Sequence, residues 1–255
     1  MVRKIETIVN DQEQGSTTLF QQTIFALLSM NDDELCSEIK FIAGLLQERF
    51  PFMGLFQKLV SILLKNRDPQ VLRYELKEIE LSLTENIQLI KSRSRCIFPR
   101  NATIMTISNS GLVKESLLAG NAVHPIKKVF CIRSGPMNEG DLIAKSISEN
   151  GIPTEVLPDR SYQKKLGETD IVMVGCDLLT DSFFINKHGT GELASKTLQL
   201  QIPLWIVTDS HRFLKSYKRP TKLNEIFEII PFKNNFSVLS NLGFFDISRV
   251  KSYFV

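Results

Sequence analysis

"TIMTISNSGLVKESLLAG", Thr103 to Gly120, decides the fold. Its first five residues are apolar or β-branched and too few for a helix, so they read as a buried strand. Ser108-Asn109-Ser110-Gly111 then breaks the run, and Leu112 to Ala119 has a polar-faced helical pattern. The unit repeats downstream: "KKVFCI", "TEVL", "DIVMVG" and "PLWIVT" alternate with helical stretches at Glu139–Asn150 and Glu192–Leu200. Strands alternating with helices imply a parallel sheet covered on both faces. In such sheets ligands bind beyond the carboxyl ends of the strands, so the residues there carry the functional argument.

Upstream of this pattern the chain is helical. Thr18-Leu19-Phe20-Gln21 has the spacing of a capping box, which predicts a helix from Leu19 to Met30. Asp32 and Asp33 suit the start of the next, which carries Leu35, Ile39, Ile42, Leu45 and Leu46 before Pro51 interrupts it. A third helix is expected over Met53 to Lys65. Asp68-Pro69 then supplies an N-cap and a first-turn proline for a long helix with Leu72, Leu76, Ile79, Leu83, Ile87 and Ile90 on one stripe. Fewer than four heptads, with other helices close by in sequence, favour bundle packing over a coiled coil. The expected division is a helical domain over residues 1–98 and an α/β domain over residues 99–255.

Composition narrows the function. The 255 residues are 43% hydrophobic, and 31 Lys plus Arg against 28 Asp plus Glu leave a formal charge of +3. No bulk field argues for nucleic acid or an acidic membrane. The basic cluster Lys91, Arg93, Arg95 and Arg100 stands at the end of the long helix, where cations offset terminal carbonyls, and lacks the aromatics of a single-strand binder. Direct nucleic-acid binding is therefore not expected. Cys36, Cys96, Cys131 and Cys176 show no zinc spacing and read as reduced, buried thiols. The first residues lack the apolar core of a secretory signal, and no run is long enough to span a bilayer, so a cytoplasmic location is expected.

Three strand ends matter. After "TIMTI", two hydroxyls, an amide and the start of a helix meet at Ser108, Asn109, Ser110 and Gly111, which suits either an anion or an N-cap. After the second strand, Gly135-Pro136 reads as a turn leading to Asn138-Glu139-Gly140 at the next helix. After "DIVMVG", Asp177 stands at the sheet rim, a position for acid/base work, for binding ligand hydroxyls, or for a cap or salt bridge. Asn186 and Lys187 follow, and Gly189-Thr190 opens the helix near Glu192, so Lys187 and that helix start could share an anion. Cys176 faces away from Asp177 and belongs in the core. Neither GxGxxG after the first strand nor GxxxxGK[ST] occurs, so no common nucleotide cofactor, and no metal, is expected.

"VGCDLLTDSFFINKHGTGELA", Val174 to Ala194, resembles the "GAD…NKxGT…LA" signature shared by the regulatory subunits of translation initiation factor 2B, methylthioribose-1-phosphate isomerase and ribose-1,5-bisphosphate isomerase. "GSTTLFQQTIFALL", "FPFMGLFQKLVSILL" and "IMTISNSGLV" resemble successive segments of the same family. "SGPMNEG" matches its TRPxxEG turn, "VTDSHRFL" its "CETYKF" segment, and "VLSNLGFFDISRVKSYF" its C-terminal end. The resemblance implies a helical domain followed by a Rossmann-like sheet of the NagB/RpiA/CoA-transferase kind, and a homodimer or an assembly with related subunits. It also implies a pocket for a phosphorylated sugar or a nucleotide.

The isomerases carry a cysteine in the turn after the first strand, and that thiol works with the aspartate of the signature to move a proton between adjacent sugar carbons. Here the corresponding residue is Ser108, and a hydroxyl is a far weaker acid than a thiol with its reference pKa of about 8.5. The arginine of TRP falls on Gly135, with Arg133 two residues earlier. Arg49 and Pro51 are separated by Phe50, and the glutamate expected before the C-terminal Leu-Gly is Asn241. Asp177, Asn109, Ser110, Asn186, Lys187, Gly189 and Thr190 are kept. The resemblance thus implies a retained ligand site without the isomerase acid/base pair. It favours a non-catalytic initiation-factor-2B-like binding protein over a ribose-phosphate isomerase using Asp177 and Ser108.

Overall fold

A computed structural model describes residues 2–11, 14–65, 68–215, 217 and 225–254. Its contacts separate two compact units, Met1–Glu85 and Asn86–Val255.

The first unit is all helical: α1 (Val2–Asn10), α2 (Ser16–Leu28), α3 (Asp32–Arg49), α4 (Gly54–Lys65) and the first part of α5 (Pro69–Ile97). Helix α1 was not evident from the sequence, yet Ile5, Ile8 and Val9 are buried on one side of it. The capping box does not form at Thr18, because α2 starts at Ser16 after an extended Gly15 and Thr18 already lies in its first turn. It forms instead at Asn31, whose side chain accepts from the Glu34 N–H while Glu34 reaches back to the Asn31 N–H. Three carboxylates in the first turn of α3 add to that start. Asp68 caps α5 through Gln70 N–H at 2.8 Å. Phe20, Phe50 and Phe56 form the aromatic centre, with Phe50 stacked on Phe56 at 4.1 Å.

The second unit is a doubly wound sheet. Its strands are β1 (Thr103–Ile107), β2 (Lys128–Ile132), β3 (Thr154–Leu157), β4 (Ile171–Val174), β5 (Leu178–Leu179), β6 (Phe183–Lys187), β7 (Leu204–Val207), β8 (Phe227–Pro231), β9 (Phe236–Ser240) and β10 (Gly243–Asp246). Helices α6 (Gly111–Asn121), α7 (Glu139–Ser148) and α8 (Thr190–Gln199) connect them. The main sheet runs β10-β9-β7-β4-β1-β2-β3. All neighbours in it are parallel except the β9–β10 hairpin at one edge.

Successive residues of each central strand enter different cores. Met105, Ile107, Val172, Val174, Leu204 and Ile206 belong to one cluster, and Ile104, Ile171, Met173, Trp205 and Val207 to another. With period-two side chains this is a sheet buried on both faces. The order reverses direction between β1 and β4, and ligands in open α/β sheets bind at such a reversal.

β5, β6 and β8 form a small antiparallel sheet that the sequence pattern does not anticipate. Cys131 and Cys176 are buried as expected, whereas Cys36 and Cys96 are exposed. Both of these lie on amphipathic helices, α3 and α5, whose solvent side takes a small apolar residue at little cost. No described helix is long and apolar enough to cross a membrane.

Candidate functional site

The carboxyl ends of β1 and β4 approach closely because Gly175 has no side chain. A Cβ there would sit 2.7 Å from Ser110 Oγ and 2.8 Å from Ser110 Cβ, with Asn186 Oδ1 at 3.5 Å. Ser110 in turn caps α6, accepting from the Val113 N–H at 3.4 Å, so the capping role open in the sequence is filled by this residue. Asn186 donates to Thr190 Oγ1 at 3.0 Å, and that hydroxyl donates to the Lys187 carbonyl at 2.7 Å. Gly189 takes a positive φ of 96° to make the turn into α8. Ser110, Asn186 and Thr190 therefore form one continuous buried to half-buried wall.

A second cluster centres on Glu139. Its carboxylate accepts from the Ser108 hydroxyl and pairs with Lys187 Nζ at 2.9 Å. The Lys187 and Glu139 side chains are only 6% and 15% exposed, so this ion pair is far less screened than a surface pair. Met137 Sδ lies 3.7 Å from the same ammonium. The backbone fixes the arrangement from both sides. Ser108 has φ of 67°, turning its side chain out of the β1 direction, and Asn138 just before Glu139 has φ of 54°. Gly140 packs so tightly on the end of β2 that a Cβ would lie 2.1 Å from the Ile132 carbonyl oxygen. The preceding loop is tied down by Asp159, which accepts from the Ser134 and Gly135 N–H groups at 2.7 and 2.8 Å.

Asp177 lies just before β5, half-buried, its N–H donating to the Ile185 carbonyl at 2.9 Å. It sits in the field of Arg212, a buried guanidinium that also pairs with buried Asp209. Burial pulls Arg212 below its ordinary value, and the negative charge of Asp177 works against that. The neighbouring Cys176 thiol is pushed up to about 12, chiefly by burial and then by Asp177. It is a core group at neutral pH, not a nucleophile.

Of the residues expected at the site, Ser110, Asn186 and Thr190 converge around Gly175, and Ser108 and Lys187 meet through Glu139. Asn109 is half-buried in the same β1–α6 turn, Gly189 supplies the turn into α8, and His188 is exposed. Lys187 and the start of α8 do not meet one partner: Lys187 goes to Glu139, while the Gly191 N–H donates to Glu228 at 2.7 Å. Two further residues beyond the strand ends have local roles. Arg133 pairs with Asp141, and Asn241 accepts from the Ser210 N–H at 2.8 Å.

Glu139, Glu228 and the Asp209–Arg212 pair escaped the sequence reading. Glu139 was visible in "NEG" at a helix start, where it passed as part of a turn; Glu228 needed the β6–β8 register, which places it opposite Asn186. Among the described residues no group of three or more His, Cys, Asp or Glu is arranged to hold a metal.

Comparison with known proteins agrees with this architecture. A solved structure described as translation initiation factor eIF-2B from Pyrococcus horikoshii OT3 superposes with a TM-score of 0.84 at 21% identity, covering 96% of each chain. The 5-methylthioribose 1-phosphate isomerase of the same organism superposes with a TM-score of 0.75 at 17% identity, covering 99% of this chain and 86% of that one. At these identities the agreement concerns the fold. A ribose 1,5-bisphosphate isomerase from Methanocaldococcus jannaschii is 30% identical over 116 residues, 44% of this chain and 36% of the isomerase. The profile described as "Initiation factor 2 subunit family" matches residues 15–230. With the match spanning most of its length, the chain belongs to the initiation factor 2 subunit family.

Proposed function

We propose that this is an initiation-factor-2B-like binding protein, with a translation-related or regulatory role in the cytoplasm. Its strand-end pocket takes a phosphorylated sugar or a nucleoside monophosphate without turning it over. The observation that carries this reading is the state of Ser108. Where the resembling isomerases place an exchangeable thiol, this chain has a hydroxyl already donating to a carboxylate that also holds Lys187. Proton transfer between sugar carbons needs a group that gives and takes a proton near the working pH. Ser108 in this setting is a binding group. Asp177, Asn109, Ser110, Asn186, Lys187, Gly189 and Thr190 complete the pocket in this proposal. Its partner is a second copy of the chain or a related subunit.

The second reading is an aldose–ketose isomerase acting on a ribose phosphate, with Asp177 as the base. It is favoured by one observation, the Glu139 carboxylate bonded to the Ser108 hydroxyl, which is an acceptor for the hydroxyl proton. Incubating the pure protein with ribose 1,5-bisphosphate or methylthioribose 1-phosphate and following ketose formation separates the two. Binding without turnover is the expected result. Turnover on the order of 1 to 1000 per second would replace the first reading with the second.

A further inference from the structure

Lys187 at the end of β6, Glu139 at the start of α7 and Ser108 just after β1 meet, and the ammonium and carboxylate charges cancel. The ammonium and carboxylate are 2.9 Å apart, both well shielded from water, and the same carboxylate accepts from Ser108. Lys187 is held at its carbonyl by Thr190, and Glu139 by the obligatory glycine that follows it. Neither side chain can leave the other without stranding a charge in a poorly solvated place.

A phosphate carries nearly two negative charges at neutral pH. Seated on Lys187 it would also lie beside the Glu139 carboxylate, and the repulsion would offset most of the attraction. A sugar's hydroxyls meet the opposite situation. The carboxylate accepts from an O–H, the ammonium donates to its oxygen, and the serine hydroxyl can do either. Carboxylates at the strand ends of dinucleotide-binding sheets hold ribose hydroxyls by the same chemistry.

We infer that Glu139 is the specificity-determining residue of this pocket: paired with Lys187 and bonded to Ser108, it seats neutral hydroxyls of the ligand's sugar and turns the phosphate away from Lys187. The inference rests on the proposed phosphosugar pocket and assigns Lys187 a different role from the anion contact suggested by the sequence.

Calorimetric titration of the full chain with ribose 1,5-bisphosphate, and separately with inorganic phosphate, tests it. In Glu139→Gln the sugar phosphate should bind about tenfold more weakly or worse, the scale of losing a charge-assisted hydrogen bond. Inorganic phosphate should bind more tightly, because Lys187 is released. The double variant Glu139→Gln with Lys187→Met leaves no lone buried charge, so it remains readable where the single variant does not fold. It should lose sugar-phosphate affinity without gaining affinity for phosphate. Wild-type or tighter binding of ribose 1,5-bisphosphate by either variant overturns the inference and leaves the pocket reading standing. No binding of ribose 1,5-bisphosphate or of adenosine monophosphate by the unaltered protein overturns the pocket reading, and this inference with it.

Discussion

Gly175→Ala tests whether the site owes its shape to one missing side chain. The added methyl carbon would stand 2.8 Å from Ser110 Cβ and 2.7 Å from its Oγ, about 1 Å inside ordinary carbon–carbon contact. Overpacking of this kind costs about 1–3 kcal/mol. Relief requires Ser110 to move, which breaks its cap on α6 and adds about 1 kcal/mol. The expected loss is therefore about 2–4 kcal/mol. Trp205, the single tryptophan, packs edge-on against Phe98 and Phe244 in the sheet unit, so its fluorescence follows unfolding of that unit in guanidinium. The decisive control is Ser110→Gly. A glycine cap costs only a few tenths of a kcal/mol, and it removes both atoms in the way. The double variant should then recover most of the loss, a coupling of about 2 kcal/mol or more. A Gly175→Ala protein within about 0.5 kcal/mol of the original, or one that Ser110→Gly fails to rescue, would refute the close approach of the β1 and β4 ends.

Lys187→Met leaves the Glu139 carboxylate without its counter-ion, and the loss should be about 3 kcal/mol by guanidinium unfolding; addition of Glu139→Gln should restore most of it. The single variant should also lose any rise in melting temperature that a phosphorylated sugar gives the original protein. Thiol titration of the folded protein at pH 8 should show two fast groups, Cys36 and Cys96, and two that react only after unfolding, Cys131 and Cys176. Burial pushes both of the latter from 9.0 to about 12, so between those values they ionise only in the unfolded chain. Each should therefore remove about 1.4 kcal/mol of stability per pH unit as the pH rises through that window, with no effect below it. Cys131→Ala should make this alkaline limb shallower when stability is measured at about pH 8, 9 and 10.

β1, β2, β4 and β7 were legible because each is a short apolar run buried in the sheet and bounded by turn residues, and the edge strand β3 by its place after a helical stretch; β9, also parallel, was not anticipated. α5 was legible from its Asp-Pro start and three-and-four spacing. The features that were missed share a different cause. α1 is nine residues long, with only Ile5, Ile8 and Val9 facing inward, too little periodicity to stand out. The cap moved from Thr18 to Asn31 because both segments offer a polar residue followed three positions later by a Gln or Glu, and which one starts a helix depends on where the preceding chain is extended. The small sheet depends on pairing β6 with a strand some forty residues later, and nothing local announces that. Exposure of Cys36 and Cys96 follows from their places on the solvent sides of helices, which the general burial habit of cysteine does not reveal.

The site divides in the same way. Residues that act through one loop, such as Ser110 as a cap or Gly189 as a turn, could be read from their neighbours in sequence. Glu139 could not, because its meaning lies in two residues that the topology brings to it: Ser108, from the turn between β1 and α6, and Lys187, from the separate small sheet. Considered alone, Ser108 is a lost thiol and Lys187 a free cation, which describes a damaged enzyme with an anion hook. Joined through Glu139 they become a neutral, hydrogen-bonded group, held by a glycine that tolerates no side chain and by two residues in left-handed backbone conformations. Such a group has donors and acceptors to offer a sugar, but no uncompensated charge to offer a phosphate and no thiol to exchange a proton. Ser108 is thus one part of a coupled arrangement, and altering Ser108 without Glu139 would probe only half of it.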